Sequence, residues 1–273
     1  RTCSRPRRRR RCRRTARAGR WNIVRFAMNL ILLLASEVTS SSSALVSDGR
    51  ATHIRCHLRK TAGSRVRIGI VGGAMGEAEV SYTRDGFVLL RVDASSLRPP
   101  RPRPSLRLLI GLPYPKVVKA LWPVLAAFGV DRVTYAPSAL SDPDYAKTSA
   151  LRPEVYDPLL LEGLAQAEDT RRPTVLVRDD LGPLLLAQQN DDDDVEGRCK
   201  IALHVGAYPS IRHCVATAKA ALVAVGPERG WTDEEVDDFR RAGFKIASLG
   251  DPILRTDTAV VAALALARDA LAT

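Results

Sequence analysis

Two residues apart in the segment GDPILRTDT stand an arginine and a carboxylate, Arg255 and Asp257, just before a run of Ala, Val and Leu. At a helix start a carboxylate can accept backbone N–H groups that lack an intrahelical partner, and Thr256 or Thr258 can cap. Arginine is less at home there, because its charge meets the positive end of the helix dipole. An anionic partner, either a carboxylate or a phosphate, makes sense of it. The pair therefore offers one group able to accept a proton and one able to hold an anion.

A second stretch, GPERG at 226–230, follows the apolar ALVAV. It is not a phosphate-binding Gly-x-x-x-x-Gly-Lys-Ser/Thr loop, and no Gly-x-Gly-x-x-Gly lies beside a strand. Gly-x-Ser-x-Gly, His-Glu-x-x-His and the zinc-deaminase pattern are also missing, which weighs against hydrolase, triphosphatase and deaminase chemistry. A concave site made largely of backbone remains. It suits a ligand carrying an adenine, a ribose and a thioether better than a triphosphate. On the purely structural reading Gly226 and Gly230 permit turns and Glu228 is solvated.

Strand and helix patterns alternate around these segments from residue 105 onward. SLRLLIGL, DRVTYAP, PTVLV, IALHVG, ALVAVG and FKIASL read as buried strands, and 116–128 and 156–167 as helices. Thr232 followed by Glu235 is a capping-box signature for a helix running to about residue 242, and the segment around 213–218 is less distinct. This order predicts an α/β architecture with a mainly parallel sheet. Strand ends at Val205/Gly206, Val225/Gly226 and Leu249/Gly250 lead into turns that such a sheet gathers at its carboxyl edge, the usual ligand crevice.

Before residue 98 the texture differs. NLILLLA, RVRIGIV, EAEVSYT and FVLLRVD are short strand patterns separated by turn formers at 40–43, 72–73 and 85–86, predicting a small barrel or sheet. DGRATHIRCHLRK is a basic helix or turn that can meet phosphate or simply face solvent. Its His-x-x-Cys-His spacing lacks a fourth metal ligand. RPPRPRP at 98–104 reads as a semi-rigid linker and the domain boundary.

The net charge of +12 suggests nucleic acid until it is located. Twelve arginines and no acid fall within residues 1–27, and the remaining 30 basic residues balance 30 acidic ones. Three readings of this arm stay open: an organelle-targeting extension, upstream sequence preceding a start at Met28, or an RNA-binding arm. The chain begins with Arg, which points to a fragment or processed product. Five cysteines without scaffold density or metal spacing indicate a reduced intracellular compartment. Four consecutive aspartates at 191–194 read as a solvated loop, and no metal site is expected. No apolar run reaches the roughly 20 residues of a bilayer helix, so no membrane partner is expected.

GPERGWTDEEV, AGFKIASLG and DPILRTDTA, in this order and spacing, resemble the RsmE family, the small-subunit (16S-type) ribosomal RNA uracil-N3 methyltransferases of the SPOUT superfamily. LPYPKVVKALWPVLAAFGVDRV, LLEGLAQAEDTRRP, MNLILL and HIRCHLR extend the resemblance across residues 28–268. It implies a C-terminal trefoil-knot methyltransferase domain at 105–273 preceded by a small PUA-like, RNA-contacting β-barrel domain at 28–97. It implies S-adenosyl-L-methionine as cofactor, held by Val225, Gly226, Pro227, Glu228 and Gly230, by Leu249, Gly250, Ile253 and Leu254, and by the turn of Leu203, His204, Val205 and Gly206. Arg255 and Asp257 become the catalytic candidates, Asp257 to take the N3 proton and Arg255 to hold a flanking phosphate or steady charge on a carbonyl oxygen. The partners implied are small-subunit ribosomal RNA in an assembled or nearly assembled subunit and a second copy of the chain as homodimer. The location implied is cytoplasmic, or plastid or mitochondrial if the basic arm is a transit peptide.

Three residues depart from the family pattern. Arg229 replaces the first glycine of a Gly-Gly pair, His57 stands at a usually aliphatic place, and Asp257 is one methylene shorter than the expected Glu. These departures keep a noncatalytic RNA-binding or ribosome-assembly factor in view as the alternative function.

Overall fold

A computed structural model describes residues 30–187, 197–215, 218–251 and 253–271. The basic arm, the four aspartates, Cys3 and Cys12 lie outside the described residues.

Strands β1 (Ile31–Leu33), β2 (Ser43–Val46), β3 (Arg65–Ile70), β4 (Met75–Tyr82) and β5 (Val88–Val92) form a five-stranded sheet in the order β1-β3-β4-β5-β2. The alternation that marks β5 is visible in its burial: Val88, Leu90 and Val92 turn inward while Arg91 faces out. Strand β2 corrects the sequence reading, in which Ser43 belonged to a turn. The turn residue is Ser42, at a φ of 55°, and Ser43 already pairs with Arg91 of β5. The basic segment is helical, as α1 (Gly49–Thr52) continuing into one wider turn over His53–His57.

The second sheet contains β6 (Ser105–Gly111), β7 (Arg132–Ala136), β8 (Thr174–Val177), β9 (Arg198–Leu203), β10 (Ala220–Val225) and β11 (Lys245–Ala247), in the order β11-β9-β10-β6-β7-β8. Every pairing in it is parallel. All six residues of β10 are buried, as expected of a parallel strand covered on both faces. Helices α2 (Pro115–Ala127), α3 (Pro153–Ala167), α4 (Leu181–Ala187), α5 (Ile211–Val215), α6 (Asp233–Arg241) and α7 (Thr256–Leu271) supply the connections and the final segment. Proline begins α2 and α3, where its missing N–H costs no hydrogen bond. The capping box at α6 forms: the Thr232 side chain accepts the Glu235 N–H, and the Glu235 carboxylate accepts the Thr232 N–H.

One short strand joins the two cores. Ile31 and Leu33 face the core of the first sheet, whereas Leu30 and Leu32 pack into the core formed by β6, α2 and α3. That is why the strand is apolar throughout rather than alternating. A second joint lies at 168–171. The Thr170 hydroxyl, fully buried, donates to the Gly73 carbonyl at 2.6 Å, and Gly72 N–H donates to the Thr170 carbonyl at 2.8 Å. Arg67 pairs with Glu168 at 2.5 Å across the same seam. The linker is held as well, for Arg103 reaches Asp169 at 2.5 Å and Asp131 at 3.3 Å.

Candidate active site

Because β9, β10 and β11 are parallel neighbours, the turns that follow them open at the same carboxyl edge. Leu203 ends β9 in the core, and His204 N–H donates to the Ala247 carbonyl at 2.9 Å, tying the β9 turn to the end of β11. Ser248 N–H donates to the Pro209 carbonyl at 2.9 Å, a second tie between the same two loops. Gly206 closes a short turn by accepting the Tyr208 N–H, and the Tyr208 ring meets His204 edge-on at 5.9 Å. Val205 and Ile253 are 57% and 77% exposed, so two apolar side chains stand uncovered on these loops. Leu249 and Leu254 are half-buried, and Gly250 N–H donates to the Ser248 hydroxyl.

The GPERG turn is pressed against β6. Val225, Gly226 and Pro227 are buried, and the Gly230 N–H returns to the Pro227 carbonyl at 2.9 Å. A Cβ on Gly226 would lie 3.0 Å from the Cα of Gly230, so the two backbones touch. The left-handed residue in this turn is Gly230, at a φ of 73°; Arg229 is not among the residues with positive φ. Arginine at 229 therefore carries no backbone strain and points a cation outward. His57 is exposed, and the helical turn buries Ile54 instead.

The sequence reads GDPILRTDT as a loop that the final helix follows, but α7 already begins at Thr256, inside that segment. Its first intrahelical bond runs from Ala259 N–H to the Arg255 carbonyl at 2.7 Å, which makes Arg255 the N-cap residue and places Asp257 inside the first turn. The Asp257 Oδ1 accepts the Thr258 N–H at 2.9 Å and lies 3.6 Å from the Arg255 Nε. The other carboxylate oxygen has no hydrogen bond among the described residues. The Arg255 side chain is 81% exposed, so its ion pair with Asp257 is loose and leaves most of the guanidinium open.

A cleft of about 700 Å³ opens beside this turn. It takes in Glu228 and Arg255 from the sequence-derived set, together with residues that set did not contain: Tyr114, Asp142, Tyr145 and Arg229. Asp257 lies outside its lining, as do the remaining cofactor candidates: Val225, Gly226, Pro227 and Gly230 on the β10 turn, and those on the β9 and β11 turns. Glu228 Oε1 accepts the Tyr114 N–H at 3.0 Å, and the two tyrosine rings meet edge to face at 5.6 Å. Glu235, beyond capping α6, accepts the Ala139 N–H at 2.8 Å and so fastens the far wall. Burial, followed by the charges of Asp142 and Glu228, raises the Tyr145 phenol pKa. The signal that finds these residues is the strand-end rule applied to β6 and β7 as well as to β9 to β11. Among the described residues no cluster of His, Cys, Asp or Glu can hold a metal ion, and no helix is long and apolar enough to cross a membrane.

Residues 100–268 match the family described as the RNA methyltransferase domain. The chain belongs to that family. It is 25% identical over 245 residues to the ribosomal RNA small subunit methyltransferase E of Treponema pallidum (strain Nichols), covering 88% of this chain and 90% of the relative. Among solved structures it is similar to a probable rRNA-methyltransferase from Porphyromonas gingivalis, with a TM-score of 0.72, 20% identity and coverage of 89% and 98% of the two chains. A ribosomal RNA small subunit methyltransferase E from Neisseria gonorrhoeae, bound to S-adenosyl methionine, gives a TM-score of 0.68 at 19% identity, covering 87% of this chain and 95% of its own. These likenesses run through both sheets, and they agree with the resemblance to the RsmE family carried by GPERGWTDEEV and DPILRTDTA. An RNA methyltransferase domain of this α/β type, preceded by a smaller sheet domain, accounts for both halves of the described chain.

Proposed function

We propose that this RNA methyltransferase is of the RsmE type and uses S-adenosyl-L-methionine to methylate N3 of a uridine in small-subunit ribosomal RNA. The observation that carries the reading is the placement of the GPERG and DPILRTDT turns at the same edge of one parallel sheet, with Arg255 and Glu228 lining a common cleft. The turns suit the cofactor: Gly226 and Gly230 bring bare backbone close together, and Val205 and Ile253 offer uncovered apolar surface for an adenine or a thioether. Bound there, S-adenosylmethionine supplies an electrophilic methyl group. The chain must supply alignment and remove the N3 proton. Asp257 keeps one carboxylate oxygen open for that proton, and Arg255 holds phosphate or the charge that develops on a uracil carbonyl oxygen.

On the same reading the first sheet is PUA-like and presents its basic helical turn, with Arg55 and Arg59 exposed, to RNA. The second sheet carries the trefoil knot of the SPOUT superfamily, and two copies of the chain form a dimer. The test is incubation of residues 28–273 with labelled cofactor and unmodified small-subunit particles, followed by nucleoside analysis. Label is expected in 3-methyluridine. Cofactor and RNA binding without label would favour a noncatalytic assembly factor instead.

A further inference from the structure

The cleft meets the turns that suit the cofactor only at Glu228, Arg229 and Arg255, and it extends away from them in one direction. Cofactor candidates follow β9, β10 and β11, at one end of the strand order. The cleft is walled by residues following β6 (Tyr114), β7 (Asp142, Tyr145) and β10 (Glu228, Arg229), and by Arg255 from the loop after β11. Since β10 sits between β9 and β6, the GPERG turn is the wall shared by two neighbouring sites along a single sheet edge.

The chemistry of the second site differs from that of the first. It has two aromatic rings, one of them half exposed at Tyr114, and two outward cations, Arg229 and Arg255. Arg229 has no ion pair or hydrogen bond among the described residues, and Arg255 has only its loose one. Glu228 and Asp142 are already engaged, the first with the Tyr114 N–H and the second with the Asp144 N–H at 2.9 Å. Rings that accept a flat face, next to guanidinium groups without committed partners, fit an unstacked base with its phosphates. The volume is of the size that encloses a small organic ligand such as one nucleotide.

We propose that this cleft receives the target nucleotide itself, its base against Tyr114 and Tyr145 and its flanking phosphates on Arg229 and Arg255. The inference rests on the RNA-methyltransferase reading above and assigns that site its substrate half. Enzymes that act on a base draw it out of its stack into a pocket, and an aromatic platform offsets part of that cost. Arg229, a departure from the family's glycine pair, becomes in this protein an additional phosphate contact. Tyr114 and Tyr145 are binding residues that position the base and take no part in proton transfer.

The experiment uses the full chain and a ribosomal RNA fragment in which the target uridine is replaced by 4-thiouridine. Irradiation is expected to crosslink the thiobase to Tyr114 or Tyr145, and mass spectrometry locates the adduct. In parallel, Tyr114→Leu is expected to raise KM for RNA about tenfold, as lost base stacking does, with cofactor Kd unchanged and Tyr114→Phe restoring the wild-type value. Arg229→Gly is expected to weaken RNA binding and to flatten its dependence on salt by about one counterion. Crosslinks confined to the β9 and β11 turns would overturn the proposal, as would a Tyr114→Leu protein with wild-type KM. A parallel rise in cofactor Kd would also overturn it, because the cleft would then hold the cofactor. If the wild-type chain transfers no methyl group, the functional reading fails, while the crosslink position still decides whether the cleft takes a base.

Discussion

Oε1 of Glu228 accepts the backbone N–H of Tyr114 at 3.0 Å, across 114 positions of sequence. The bond fixes the loop after β6 to the turn after β10, so the wall between the two proposed sites is held from both sides. Replacing Glu228 with alanine leaves the Tyr114 N–H to water and loosens both loops. About 1 kcal/mol is expected, below the usual range for a bond to a charged group because the site is exposed. Cofactor Kd and RNA KM should both rise several-fold in Glu228→Ala, and Glu228→Gln, which keeps an acceptor, should recover most of the loss. Calorimetric titration of cofactor alongside steady-state kinetics checks this.

Asp257→Asn separates proton removal from helix capping. Asparagine still accepts the Thr258 N–H, so α7 and the thermal midpoint should change little. If Asp257 takes the N3 proton, kcat should fall by roughly 10²- to 10⁴-fold with cofactor Kd intact. Full transfer across the whole pH range would reduce Asp257 to a capping residue.

Gly111→Ala tests the seating of the GPERG turn. Its Cβ would stand 2.6 Å from the Pro227 Cδ and 2.9 Å from the Trp231 ring. Ring and proline must move, at a cost of about 1–3 kcal/mol typical of overpacking. The variant is expected to unfold at lower denaturant and to bind cofactor more weakly. Wild-type cofactor affinity in a destabilised variant would show that the turn's position is set elsewhere.

The Asp169 cluster predicts a pH effect on stability. Burial pushes its carboxyl up, but hydrogen bonds from the Arg171 side chain and backbone and the charge of Arg103 outweigh this and hold its pKa at about 2, against 3.8 for the free group. A carboxyl with a lowered folded pKa stabilises the fold fully above its unfolded value and loses that contribution as pH falls through the folded one. The stability difference between wild type and Asp169→Asn should therefore shrink between about pH 4 and pH 2. The pH-dependent part is up to about 2 kcal/mol before solvent screening reduces it. Denaturant titrations of both proteins across that window measure it.

The parallel sheet was legible because its strands are continuous apolar runs and its helices carry caps that act within a few residues, as Thr232 and Glu235 do. Strand β2 was not, because SALV follows a serine cluster and gains its identity only from pairing with β5. The apolar composition of β1 was visible, but its division between two cores depends on which element packs on each face, and no local pattern encodes that. At the site, Arg255 and Asp257 stood out by type and spacing. Tyr114 and Tyr145 did not, since isolated tyrosines in loops carry no periodic signal and are brought together only when β6 and β7 lie side by side. That Arg229 escapes backbone strain was equally invisible in sequence, because the left-handed conformation falls on the next residue.

Thr170 is sealed from solvent, hydrogen-bonded at both ends of its short segment to the β3–β4 turn, and adjacent to the aspartate that grips the linker arginine. These contacts tie the two sheets together along one seam. With that seam intact, the distance from the basic turn near His57 to the crevice at the sheet edge is set by the folded chain, like the span of a caliper. On the proposed reading, an RNA that touches both must bring two features to that spacing, so that its selection would depend on length as well as on the identity of a base.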